Sequence, residues 1–209
     1  MESIGLCLYD FDGTLYDGDS LIDFWRFTLR HRPSAIFLLP YQLVSVLLWK
    51  AGVIPAGRAK EAFLASLSLI PENQLGCWVE RFWIEHGRRR IFDWVTSALE
   101  RDKGKGNLRI CISASPEFLL VPMLSSLGFD HWIGTQIEYR SGRPVRLRGR
   151  NCKGQEKARR LEEWQERQPF ASSIHSIVSD SPVDLEVFCV ARTKYRVIRG
   201  KRLEMGRNS

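Results

Sequence analysis

The stretch Ile4 to Leu15, IGLCLYDFDGTL, constrains the fold more than any other part of the chain. Its apolar run is too short for a helix and predicts a buried parallel strand. Two carboxylates, Asp10 and Asp12, follow one residue apart where that strand should end, and Gly13 and Thr14 supply a sharp turn. Residues i and i+2 of a strand share a face, but a chain that turns at the exit brings both acids to one place from different angles. Crowded carboxylates repel unless a cation or a shared proton lies between them. An oxygen-only site of this kind suits Mg²⁺, which keeps several waters and accepts a phosphate.

Three further groups fall at strand ends or helix starts. Ser113 closes the apolar run Leu108 to Ile112, and the next helix start makes its hydroxyl and the neighbouring amides, Ala114 among them, a phosphate cradle. Asp180 follows the run Ile174 to Val178 and is placed to add a third carboxylate to the cation. Asp184 lies one helical turn further on and faces the same way. Lys153 and Lys157, four apart, both face the site from one helix start, where a lysine neutralises a phosphate oxygen.

Between the first strand and these pieces lies a block of helices with bulky aromatic faces. Asp19-Ser20 caps a helix carrying Leu21, Phe24, Trp25, Thr28 and Leu29, and Pro33 ends it. Pro33 to Trp49 is 17 residues without a charge, flanked by Arg30, His31 and Arg32 on one side and Lys50 on the other. That segment reads either as a buried cap helix or as a surface that contacts a membrane over residues 33–50. It falls short of the ~20 apolar residues a full span needs. A helix over Arg58 to Leu69 ends at Pro71. Gln74 to Leu99 is helical with a break at Gly87, and Arg88-Arg89-Arg90 reads as a solvated helix face.

Arg101 to Asn107 reads as a polar loop and Phe118 to Leu127 as a helix closed by Gly128. Trp132 to Tyr139 and Val145 to Leu147 read as two strands joined by a turn over residues 140–144. The five arginines from Arg140 to Arg150 fit the polar face of that hairpin as well as an anion site. A charged helix over Gly154 to Gln168, a helix over Pro182 to Ala191, a last strand over Tyr195 to Ile198 and a frayed polar tail complete the chain. Strands alternating with helices predict an α/β fold: a doubly wound, Rossmann-like parallel sheet over 1–16 and 95–209, with an all-α cap over 17–94 inserted after the first strand.

The net charge of +7 favours anionic partners, and 44% hydrophobic content excludes a disordered chain. Five scattered cysteines give neither a zinc spacing nor a disulfide framework and point to a reducing, cytoplasmic setting. Cys7, Cys111 and Cys189 read as core residues, and no basic region followed by an apolar core marks a signal peptide at the N-terminus.

D-x-D-G-T, S-A-S-P, a lysine and S-D-S-x-x-D, in this order over nearly the whole chain, resemble the haloacid dehalogenase superfamily. Within it the chain is similar to the class of the phosphoserine phosphatases, with a helical cap between the first two motifs. The resemblance implies an Mg²⁺-dependent phosphatase with an aspartyl-phosphate intermediate. Asp10 would be the nucleophile, Asp12 the general acid and base, and Ser113 a ligand of the transferring phosphoryl oxygens. Asp10, the Asp12 carbonyl and Asp180 would hold Mg²⁺, with Asp184 binding or supporting it. Lys157 lies 23 residues before Asp180, nearer the spacing of phosphoserine phosphatases than Lys153 at 27, and is preferred as the motif lysine.

Ser179 stands where many relatives have Gly. Ser113-Ala114-Ser115-Pro116 lacks the glycine pair of phosphoserine phosphatases, which argues against phosphoserine as substrate. The apolar cap segment and the Tyr195-Arg196-Val197 strand resemble a subgroup that includes bacterial phosphatidylglycerophosphate phosphatases. The expected substrate is thus a small phosphorylated molecule or a lipid headgroup phosphate, with the protein cytoplasmic or peripheral on the inner membrane. A non-catalytic module binding anionic ligands or nucleic acid on the same fold, and a phosphotransferase, are the alternatives. Nucleic acid is the less expected partner, because every catalytic carboxylate is present.

Overall fold

The structure is a computed structural model that describes residues 3–67, 69–70, 72–140 and 143–207. The run after Ser3 forms β1, Ile4–Tyr9, at the centre of a six-stranded sheet. It pairs in parallel with β2, Leu108–Pro116, on one side and with β6, Ser172–Ser179, on the other. Beyond β2 lies β3, His131–Thr135, and beyond β6 lies β7, Thr193–Ile198, both parallel. The order β3-β2-β1-β6-β7 reverses direction at β1. A doubly wound sheet opens a crevice at the carboxyl ends of its strands where the order reverses.

Strand alternation divides the core into two layers. Leu6 and Leu8 of β1 join Ile110, Ile112 and Ile177 beneath α7, Gln155–Glu166, and α8, Pro182–Val187. Cys7 and Tyr9 face the other way, toward α5, Trp94–Gly104, and α6, Glu117–Leu127. A strand buried on both faces needs an unbroken apolar run, which is what β1 has.

Between β1 and α5 stand α1, Ser20–His31, a 3₁₀ turn over Pro33–Leu38, α2, Leu39–Lys50, α3, Ala56–Leu67, and α4, Glu72–Glu85. Asp19 caps α1 by accepting from the Ile22 N–H at 3.0 Å, and Pro33 follows its end. Phe24, Phe27, Leu64, Phe82 and Trp83 of these helices share one apolar cluster with Tyr9, Phe11 and Val95. The rings of Phe11, Tyr16 and Trp83 meet at 5.7–5.9 Å, so the helices are packed onto the sheet edge by aromatic contacts.

Several expectations change. The segment over residues 33–50 is not a buried cap helix: only Gln42 and Ser45 of α2 are buried. Trp132 to Tyr139 is two strands, because the chain leaves the main sheet at Gln136. β4, Ile137–Arg140, then pairs antiparallel with β5, Arg143–Leu147, in a separate hairpin. Arg140 and Arg146 bond Glu138 on its polar face. Ser141 and Gly142 of the expected turn, and Pro71, lie outside the described residues.

Arg101 to Gly104 are helical rather than loop, since α5 runs on, and α8 stops at Val187 instead of reaching Ala191. Over residues 199–207 the polar tail is not frayed. It forms β8, Lys201–Arg207, antiparallel to β7. Arg90, expected to be solvated, pairs with Asp23 and lies over the Tyr16 ring at 5.2 Å. Cys7, Cys111 and Cys152 are buried, whereas Cys189, expected in the core, is at the surface just beyond α8.

Candidate active site

β1 ends by handing the Asp10 N–H to the Val178 carbonyl of β6 at 3.0 Å, and the chain then turns. Gly13 makes the turn with φ +73°, and its N–H reaches the Tyr16 and Gly18 carbonyls at 2.9 and 3.0 Å. A side chain there would be strained, and its Cβ would come within 2.5 Å of Asp180 Oδ2, so glycine is required twice over. Thr14 ties the turn to the neighbouring strand end. Its hydroxyl donates to Asp180 Oδ1 at 3.1 Å and accepts from the Asp180 N–H at 2.9 Å. Asp10, Asp12 and Asp180 are thus carried by two adjoining strand ends that share hydrogen bonds.

Asp10 and Asp12 have different electrostatic company. Asp10 accepts from the Phe11 N–H at 2.8 Å and from Lys157 Nζ at 2.9 Å. Lys157, third residue of α7, also donates to Asp184 Oδ2 at 2.5 Å, and Ser179 supports Asp184 at 3.0 Å. Burial alone would discharge this lysine, but Asp10 and Asp184 override it and hold it a cation. Burial raises the Asp10 carboxyl, and Lys157 pulls it back. Asp12 takes neutral donors instead: the Ser20 N–H at the start of α1, at 2.7 Å, and the Ser115 hydroxyl. Burial, with Asp19 nearby, pushes Asp12 up to about 6.

The carboxylates open on a cleft of about 170 Å³ lined by Asp10, Asp12, Ser113, Ala114, Lys157 and Asp184. Ser113 is buried, with its hydroxyl accepting from the Ser115 N–H at 3.1 Å. The Ala114 carbonyl accepts from Thr135 and from Lys60 at 2.6 Å each. Lys153 is exposed at the rim, so of the two lysines it is Lys157 that touches the acids. Asp180 is exposed at its strand end, and its carboxylate is engaged by Thr14.

Sequence reasoning missed Lys60. It comes from α3 in the helical block and reaches across to Ala114 and to Asn151 Oδ1, the latter at 2.8 Å. Burial lowers its ammonium to about 8. The β4–β5 hairpin steadies α3, for the Leu147 N–H donates to Glu61 Oε1 at 3.0 Å. Ser20 and Ser115, which hold Asp12, were also missed. Their signal was the second serine of the S-A-S-P string and the serine that follows the Asp19 cap.

The donor set around Asp10, the Asp12 carbonyl and Asp180 is oxygen only and fits a hard divalent cation. Among the described residues no three acidic, histidine or cysteine side chains converge as a ready-made cluster, and Lys157 and Thr14 engage Asp10 and Asp180. A larger recess of about 820 Å³ lies between β3 and α7 and is lined by Arg148, Arg150, Arg159 and Arg160. It contains none of the strand-end acids, and Glu156 engages Arg159 and Arg160 within it.

A profile of the haloacid dehalogenase-like hydrolases matches residues 7–188. The chain belongs to that family. Protein CicA of Caulobacter vibrioides is 28% identical over 211 residues, covering 94% of this chain and 87% of that one. A protein of unknown function from Bordetella pertussis Tohama I superposes with a TM-score of 0.81 at 24% identity, over 91% and 89% of the two chains. A substrate-bound phosphoserine phosphatase gives a TM-score of 0.62 at 14% identity over 93% and 86%. This haloacid dehalogenase-like hydrolase therefore has the Rossmann-like fold of the phosphoserine phosphatases.

Proposed function

We propose that this family member is an Mg²⁺-dependent phosphomonoester hydrolase that forms an aspartyl-phosphate on Asp10. The observation that carries the reading is the contrast between the two carboxylates. Asp10 lies beside a buried cation, while Asp12 has only neutral donors. Burial raises both carboxyls, so the division of labour rests on these partners: the cation steadies charge on Asp10, and the neutral donors leave Asp12 able to give and take a proton.

An Asp10 oxygen attacks phosphorus, the bond to the leaving oxygen breaks, and Asp12 gives that oxygen its proton. Water then attacks the aspartyl-phosphate, Asp12 takes the proton back, and inorganic phosphate leaves. Ser113 and the Ala114 amide receive the phosphoryl oxygens, and Lys157 holds Asp10 in place. Mg²⁺, held by Asp10, the Asp12 carbonyl and Asp180, would neutralise charge on the phosphoryl group.

The substrate class is a small phosphorylated molecule or a lipid headgroup phosphate. The test is phosphate release from phosphoserine, sugar phosphates and phosphatidylglycerophosphate, with Mg²⁺ and after chelation. Release that requires Mg²⁺ is expected. No release from any phosphomonoester by folded protein would leave an anion-binding module.

Lys60 is positioned to meet anionic groups beyond the phosphorus. Lys60→Met should raise KM about tenfold with kcat little changed, the mark of binding lost equally in ground and transition states. Lysine at about 8 is cationic below that pH and neutral above it. The wild-type KM should therefore climb through pH 8, while that of the variant stays flat. Parallel KM–pH curves for the two proteins would remove Lys60 from substrate binding.

A further inference from the structure

We propose that α2, with the 3₁₀ turn before it, docks this protein onto an anionic lipid bilayer, lying in the plane of the interface. The proposal goes beyond the catalytic reading and does not depend on it. The helix is inside out. Its buried positions are polar: Gln42 accepts from Trp25 Nε1 at 3.0 Å and donates to the Ala62 carbonyl of α3 at 3.1 Å, and Ser45 bonds the Tyr41 carbonyl. Its outward positions are apolar. Ile36, Phe37, Tyr41, Leu43, Leu47 and Trp49 are 43–83% exposed. A water-facing helix buries its apolar stripe, and contiguous exposed apolar surface of this kind marks an interaction site.

Two occupants fit an apolar face, lipid or a second copy of the chain, and charge decides between them. Residues 24–60 contain Arg26, Arg30, Arg32, Lys50, Arg58 and Lys60 and no acidic residue. Arg26 and Arg58 are neutralised by Asp23 and Glu61 at the edge of the segment. Lys50 at the end of the apolar surface and Arg30 before its start are exposed. Arg32, held by the Leu69 carbonyl at 2.8 Å and over the Trp78 ring, has no acidic partner among the described residues, so the segment carries uncompensated positive charge at both ends. In a two-fold dimer the same positive charge would meet itself, whereas anionic headgroups complement it. Tyr41 and Trp49 are the residue types that settle at headgroup depth.

Pro33–Lys50 as a whole is long and apolar enough to cross a bilayer, but packing argues for lying flat: Gln42 bonds Trp25 of α1 and the Ala62 carbonyl of α3, which keeps α2 laid along the body of the protein. The bond from Gln42 to Ala62 also ties the docking helix to α3, which puts Lys60 into the cleft two residues earlier.

The test is co-flotation of the purified full chain with phosphatidylcholine vesicles, with and without phosphatidylglycerol, for wild type and the double variant Leu43→Glu/Leu47→Glu. Wild type should float only with the anionic vesicles, less so in high salt. The double variant should bind at least about tenfold more weakly while matching the wild-type circular dichroism spectrum and thermal midpoint. Phe37→Glu, at the most exposed of these positions, gives the same reading should the double variant fold poorly. Absence of wild-type binding, or binding undiminished in the variants, overturns the proposal. So does a wild-type dimer that the double variant dissociates without any vesicle binding. Turnover of a soluble phosphomonoester, equal in both proteins, reports on the Asp10 chemistry separately; its absence in both would count against that chemistry and leave docking standing.

Discussion

Asp10→Asn should lower phosphate release by about four orders of magnitude or more while leaving the fold as stable as the wild type, or slightly more so. The two halves of this expectation have one cause. The Asp10 carboxylate is largely removed from water, with 13% of its side chain exposed, and burial raises its pKa. An acid whose folded pKa is raised loses stability as pH climbs from its unfolded value through its folded one. At neutral pH Asp10 therefore costs the fold part of what Lys157 returns.

Asparagine keeps the shape and an oxygen able to accept from Phe11 and Lys157, and it leaves Lys157 paired with Asp184 at 2.5 Å. One cation against one anion is a better-matched buried set than one cation against two. What asparagine lacks is the nucleophile. The check has two parts: steady-state phosphate release beside a denaturation midpoint, and a search for phosphate on residue 10 after acid quenching. Turnover in the variant within about tenfold of wild type would end the aspartyl-phosphate reading. A fall in both stability and activity would assign Asp10 a structural role instead.

The parts of this molecule legible in its sequence are those in which local pattern and chemistry coincide. β1 announced itself because a central parallel strand must be apolar throughout, and the acids after it because a strand end at the crevice is where such groups can act. The four-residue spacing of Lys153 and Lys157 left both facing the site, and only the 23-residue distance from Lys157 to Asp180, read through the family resemblance, favoured Lys157. Lys157 meets Asp10 and Asp184, and Lys153 stands outside at the rim.

Lys60 was invisible for a different reason. A lysine on an amphipathic helix reads as solvated, and only the packing of α3 against α2 and the β4–β5 hairpin carries it to Ala114 and Asn151. The Gln136 break went unseen because the residues on both sides favour strands. Which sheet each half joins is set by pairing partners distant in the chain. The last strand did have a signal. Arg199-Gly200 is a two-residue turn with both φ angles positive, at 49° and 75°, and glycine at the second turn position is a hairpin mark. The surrounding charges hid it.

Lys157→Met should be the most destabilising single change near the site, by about 3–5 kcal/mol at neutral pH, and should also abolish turnover. The side chains of Lys157 and Asp184 are each 4% exposed. Removing the cation leaves Asp10 and Asp184 facing a methionine with no compensating charge and little water. Burial already raises the Asp10 carboxyl, and without the lysine's opposing pull it rises further above its unfolded value. With this sign, the penalty is absent below the unfolded pKa and grows as pH rises through the folded one. The gap in stability between variant and wild type should therefore be small in acid and widest at neutral pH and above, as read from urea midpoints across that range.

A gap that is constant with pH would mean that methionine fails by shape rather than by uncompensated charge. The double variant Asp10→Asn/Lys157→Met separates the two further, since it removes one of the stranded charges. It should recover part of the lost stability and none of the activity, giving a coupling between the two positions that independent sites would not have.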